Sequence, residues 1–78
     1  MSYNYIQLFV DGLPVDYNMM VKDSLFVFEP VFNPHEALKA PVFTVKNEEG
    51  KLVFENLNDE SLKDQVEEEI ITYLKNNN

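Results

Sequence analysis

The sequence predicts an α+β domain: an antiparallel sheet of about five strands (two hairpins plus a linking strand), a short middle helix, and a C-terminal amphipathic helix packed on one face. Three observations predict it. Alternating apolar runs come in pairs around turn residues, at Asp11-Gly12 and at Asn47-Glu48-Glu49-Gly50. Beyond Leu57 the apolar period changes from two to that of a helix. Between the two hairpins, the stretch FNPHEALKAPVF holds a helix start at Asn33-Pro34 and a helix stop at Pro41.

The first hairpin joins residues 5–10 to residues 13–21 through Asp11-Gly12, a dipeptide that accepts positive φ at both central positions. That turn sets the register. Val10 opposes Leu13, Leu8 opposes Val15 and Ile6 opposes Tyr17, so one face of the hairpin is apolar throughout. Pro14 then falls opposite Phe9 in a non-hydrogen-bonded pair, where its missing N–H would have pointed away from the first strand, and the Pro14 end of the second strand is expected to be an edge.

Residues 25–32, LFVFEPVF, read as the linking strand. A two-residue turn at Asp23-Ser24 puts Phe26 and Phe28 in the core with Tyr17 and Met19; a three-residue turn would reverse the faces. The former is preferred because it buries phenylalanine and exposes Glu29. In the second hairpin, residues 42–46 and 51–55 are expected to pair across a four-residue loop, Val45 with Leu52 and Phe43 with Phe54. The final helix presents Leu62, Val66, Ile70, Tyr73 and Leu74 on one side, with Asn58 as its expected N-cap and Leu57 closing on Leu62. One domain over residues 1–75 and a frayed polar tail at 76–78 complete the expected organisation.

Composition narrows function mainly by exclusion. Fourteen acidic side chains against six lysines give a formal charge of −8, which repels phosphate backbones and anionic membranes. Neither nucleic acid nor membrane is an expected partner. There is no arginine to clamp a phosphate or carboxylate with two parallel hydrogen bonds, and no cysteine for a disulfide or a thiolate metal site. The only glycines, Gly12 and Gly50, sit in turns, so no glycine-rich phosphate loop exists. No apolar run approaches the roughly 20 residues that span a bilayer, and an intracellular, cytoplasmic protein is expected.

His35, the sole histidine, is accounted for by helix capping: Asn33 caps, Pro34 starts and Glu36 completes a capping box. His35 and Glu36 make a poor acid/base pair because adjacent helical residues point about 100° apart. Ser2, Ser24 and Ser61 lie at a terminus, a turn and a helix start, with one histidine to serve them all. Asn56, Asn58, Glu60, Asp64 and Glu67 fall at calcium-loop spacings, but Ser61 replaces the turn glycine and the Leu62/Val66/Ile70 pattern is already helical. No catalytic residue, metal site or cofactor is expected, and the chain is read as not an enzyme.

The sheet face away from the helix is the better candidate. It is expected to carry Tyr3, Tyr5, Phe9, Met20, Leu25, Val27 and Val53, among Gln7, Asp16, Asn18, Thr44 and Glu55. Aromatics and methionine rimmed by polar groups are what protein interfaces enrich. Glu67 and Glu68 add a negative helix surface suited to a basic partner. The expected binding residues are Tyr3, Tyr5, Phe9, Met20, Glu67 and Glu68. The expected function is a small acidic, non-catalytic protein-binding module, such as an inhibitor, an antitoxin-like protein or an accessory regulator. A homo-oligomeric assembly subunit using the aromatic face comes second, and a small-ligand binder or enzyme third.

Overall fold

The structure, a computed structural model, describes residues 2–35 and 38–76, with side chains from Asn4 onward. Among the described residues five strands and one helix make an α+β fold: β1 (Ser2–Val10), β2 (Leu13–Lys22), β3 (Leu25–Phe32), β4 (Phe43–Glu48), β5 (Lys51–Glu55) and α1 (Glu60–Asn76). The sheet is a meander in the order β1-β2-β3-β4-β5, every neighbouring pair antiparallel. Strand order beyond the hairpins is therefore as simple as chain order.

The β1–β2 register follows from its turn. Asp11 and Gly12 both take positive φ, 53° and 80°, and Val10 pairs with Leu13, Leu8 with Val15, and Ile6 with Tyr17. Pro14 faces Phe9, and β3 begins to pair with β2 only at Asp16, so no neighbour needs a hydrogen bond from Pro14 on the other side. Asp23-Ser24 makes the two-residue turn into β3, with Lys22 opposite Leu25, and it buries Phe26 and Phe28.

The second hairpin is tighter than expected. Glu49 and Gly50 alone form its turn, at φ 54° and 86°, so Glu48 pairs with Lys51, Asn47 with Leu52 and Val45 with Phe54. The register is shifted by two from the expected one, which leaves every side chain on its expected face. Asn47 Oδ1 accepts a hydrogen bond of 3.1 Å from the Gly50 N–H and helps hold this shorter turn.

The helix also begins one residue later than expected. Asp59, not Asn58, is the N-cap: its Oδ1 accepts from the N–H groups of Ser61 at 2.9 Å and Leu62 at 3.2 Å. Asn56, at φ 64°, turns the chain out of β5, and Asn76 still belongs to the helix. Asn77 and Asn78 of the expected tail lie outside the described residues.

The short middle helix is not shown. Residues 33–35 and 38–42 have no helical assignment, while Glu36 and Ala37, and with them the expected capping box, lie outside the described residues. Asn33 nevertheless organises the segment: its Oδ1 accepts from the His35 N–H at 3.0 Å and its Nδ2 donates to the Leu38 carbonyl at 2.8 Å. Leu38 and Ala40 pack on the core, and the Tyr17 hydroxyl donates to the Pro41 carbonyl at 2.7 Å.

The sheet and α1 enclose one core, in which Leu62, Val66 and Ile70 meet Leu8, Val15, Tyr17, Phe26, Phe28, Phe43 and Val45. Phe28 and Phe43 stack at 4.8 Å, and Phe26 and Tyr73 meet edge to face at 5.9 Å. The helix reaches both edge strands. Gln65 bonds to Phe9 on β1 and Lys63 lies 5.8 Å from the Phe54 ring on β5, so the sheet curls round α1.

Candidate binding surface

Side chains alternate across each strand, so the residues between the core positions form a second face. Among the described residues, α1 packs on the opposite, core-bearing face. The strand pairings set it out in rows: Tyr5 beside Asn18 and Glu29, Gln7 beside Asp16 and Phe32, Phe9 beside Pro14. At the other end Met20 sits beside Val27 and Thr44, and Lys22 beside Leu25, Lys46 and Val53.

The two ends differ in character. Around β1, β2 and β3 the large apolar side chains stand out: Tyr5 is 77% exposed, Phe32 60%, Val31 52% and Phe9 48%, with Val42 56% exposed next to buried Phe43. The charged side chains in those rows, Asp16 and Glu29, are both acidic. The β4–β5 end instead carries Lys46, paired with Glu55 at 3.5 Å, and its Leu25, Val27 and Val53 are half-buried by their neighbours. A shallow depression of about 390 Å³, lined by Tyr5, Ile6, Gln7, Asp16 and Val31, marks the apolar end.

Phe32 owes its exposure to a bulge. Tyr17 pairs with Pro30 and Asp16 with Phe32, so Val31 is the extra residue and the alternation slips by one. Strict alternation from buried Phe28 would have turned Phe32 towards the core. Pro30, which cannot donate to a ladder, sits at that irregularity and is the sequence signal for it.

The expected site residues do not form one surface. Tyr5 and Phe9 lie at the exposed apolar end, and Met20 lies in the adjoining row but is half-buried. The Tyr3 backbone pairs with Met20 in that same row; its side chain lies outside the described residues. Glu67 and Glu68 are exposed on α1, in the other layer of the molecule. Glu67 there borders a half-open groove of about 380 Å³ between α1 and the β4–β5 turn, shared with Lys51, Leu52, Ile71 and Leu74. Val31 and Phe32 join the candidate surface, although sequence reasoning had not assigned them to it.

Chemistry elsewhere is sparse. Among the described residues no group of three or more histidine, cysteine, aspartate or glutamate side chains could hold a metal ion. No helix among them is long and apolar enough to cross a membrane. Burial pushes the Tyr17 hydroxyl up to about 12, and that group lies inside the core. No protein-family model, curated protein or solved structure matches the chain.

Proposed function

We propose that this chain is a small acidic, non-catalytic protein-binding module that acts by occupying a partner, as an inhibitor, an antitoxin-like protein or an accessory regulator does. Its contact is the β1–β3 end of the open sheet face. One observation carries the reading: Tyr5, Phe9, Val31 and Phe32 stand about half exposed or more around Asp16 and Glu29, with no lysine in those rows. Rigid aromatic and branched side chains on a sheet lose little conformational freedom on contact and supply most of the area a partner would bury.

The two carboxylates define the partner's chemistry as an apolar anchor flanked by lysine or arginine. The formal charge of −8 adds long-range attraction for such a surface and speeds encounter more than it tightens the final complex. The reading puts the module in the cytoplasm, a reducing compartment in which a cysteine-free chain forgoes no disulfide.

Capture from an extract of the native host, comparing wild type with Phe32→Lys at low and high salt, tests this. Phe32 is 60% exposed and packs nothing in the core, so the variant should melt within a few degrees of wild type. Wild type should retain a protein whose retention weakens with salt, and Phe32→Lys should lose it. Equal retention by both would remove the open face from consideration.

A further inference from the structure

The two edges of the sheet are treated differently. β5 is short, five residues, and carries a charge at each end, Lys51 and Glu55. Short edges with charged side chains resist pairing with another chain. β1 is nine residues long, SYNYIQLFV, with no charged residue and no proline, and it pairs with β2 position by position without a bulge. It has none of the devices that usually blunt a sheet edge, except at one place.

That place is Phe9. The Gln65 carboxamide accepts from the Phe9 N–H at 2.8 Å and donates to the Phe9 carbonyl at 2.9 Å, doing at one position what a neighbouring strand would do. The pair of bonds also shows which way the edge faces. The backbone groups of Phe9 point away from β2, so by the period of two those of Gln7, Tyr5 and Tyr3 do so as well. Among the described residues no hydrogen bond from another element reaches the outward groups of Tyr5 or Gln7. Gln65 thus closes the edge at Phe9, and among the described residues no hydrogen bond from another element closes it from Tyr3 to Gln7.

We propose that two copies of this chain join through these runs, β1 against β1 and antiparallel, about a two-fold axis through Tyr5, merging their sheets into one. The register follows from the stop at Phe9. Only with Tyr5 opposite the partner's Tyr5, and Gln7 opposite the partner's Tyr3, do all three open positions find partners, each facing pair exchanging both its hydrogen bonds. Such a contact is self-complementary, as two-fold symmetry demands. Charge selects the same occupant: two copies of a chain at −8 repel one another, and β1 is a strip where they can meet without burying a carboxylate. A basic partner would gain nothing from an uncharged edge. The proposal does not rest on the open-face reading, since it uses backbone groups along an edge.

Sedimentation of the wild type over a range of concentrations, with Gln7→Pro and Phe32→Lys alongside, is the test. Wild type should pass from monomer to dimer as concentration rises, and at lower concentration in high salt, which screens the repulsion. Gln7→Pro removes an outward N–H that β2 does not use and puts a ring in its place. It should stay monomeric where wild type is mostly dimer, and Phe32→Lys should dimerise like wild type. Hydrogen exchange on the wild type reads the same contact without a substitution: the Tyr5 and Gln7 amides should slow in step with the dimer fraction. A wild type that is monomeric throughout overturns the proposal. So does a dimer whose Tyr5 and Gln7 amides exchange as fast as in the monomer, or one that Phe32→Lys abolishes and Gln7→Pro leaves intact. Loss of partner capture with an unchanged dimer, or the reverse, separates the two readings.

Discussion

Tyr17 and Tyr5 are the same residue type in adjacent strands of one hairpin, and they meet opposite fates. Tyr17 is fully buried on the α1 side, its hydroxyl satisfied by the Pro41 carbonyl, while Tyr5 is 77% exposed on the other side. Leu8 and Phe9 repeat the contrast within two consecutive residues. Alternation, not hydrophobicity, decides which large side chain joins the core. A chain this short depends heavily on every apolar group it buries, and aromatic residues placed where they bury little contribute little to its stability. The covered face should therefore answer to folding, and the open face to association.

The hardest test of that division is Phe43→Ala. Phe43 is fully buried, stacks on Phe28 and leans on Tyr17, so its loss leaves a cavity that three strands cannot close together. A loss of about 3–5 kcal/mol is expected, a large share of what a domain of this size possesses. Urea denaturation would show it. A loss below about 1 kcal/mol would mean that this face is not the core on which the domain depends.

A smaller effect comes from Tyr17 itself. Its hydroxyl rises from 10.0 to about 12 in the folded chain because burial disfavours the phenolate. The folded state therefore holds this proton where the unfolded state has lost it. Stability from this group is complete below pH 10 and is lost as pH rises towards 12. The melting temperature of Tyr17→Phe should fall less steeply than that of wild type across that window. At neutral pH the variant should be weaker by about 1 kcal/mol, the usual net worth of one hydrogen bond. Parallel slopes for the two proteins would mean that Tyr17 is not the group responsible.

The same division explains what was legible in the sequence. Asp11-Gly12 is a two-residue turn with one reading, so the β1–β2 register could be counted outward from it residue by residue. Asn47-Glu48-Glu49-Gly50 allows two turns, and the shorter one won because Glu49 and Gly50 together accept positive φ; a shift of two costs no side chain its face. The bulge at Val31 was harder. A slip of one residue sent Phe32 outward, whereas Phe43, which also follows a Pro-Val pair, points inward. A local pattern does not show an irregularity in strand pairing. Nor could the sequence show the bond between Gln65 and Phe9, 56 positions apart, since it depends on where α1 lies against the edge of β1. Core residues announce themselves by period; contacts between distant elements do not.

The smallest expected effect on stability is also the most discriminating. Tyr5→Lys should change the unfolding free energy by only about 0.5 kcal/mol when measured at a concentration where the chain is monomeric, because the side chain touches water and not the core. Association should respond much more strongly. On the open face a lysine replaces an aromatic anchor beside Glu29 and Asn18, so capture of a partner that brings basic groups should fail. At the β1 edge, two-fold symmetry sets the new lysine directly against the partner's own, and like charges facing across a strand pair oppose pairing. Dimerisation should then move to higher concentration and recover in part with salt. A variant that melts well below wild type while monomeric would show that Tyr5 supports the fold, and the separation of the two faces would have to be redrawn at β1. A variant that melts, captures and dimerises like wild type would leave the exposure of Tyr5 without consequence, and both association readings would lose their shared residue.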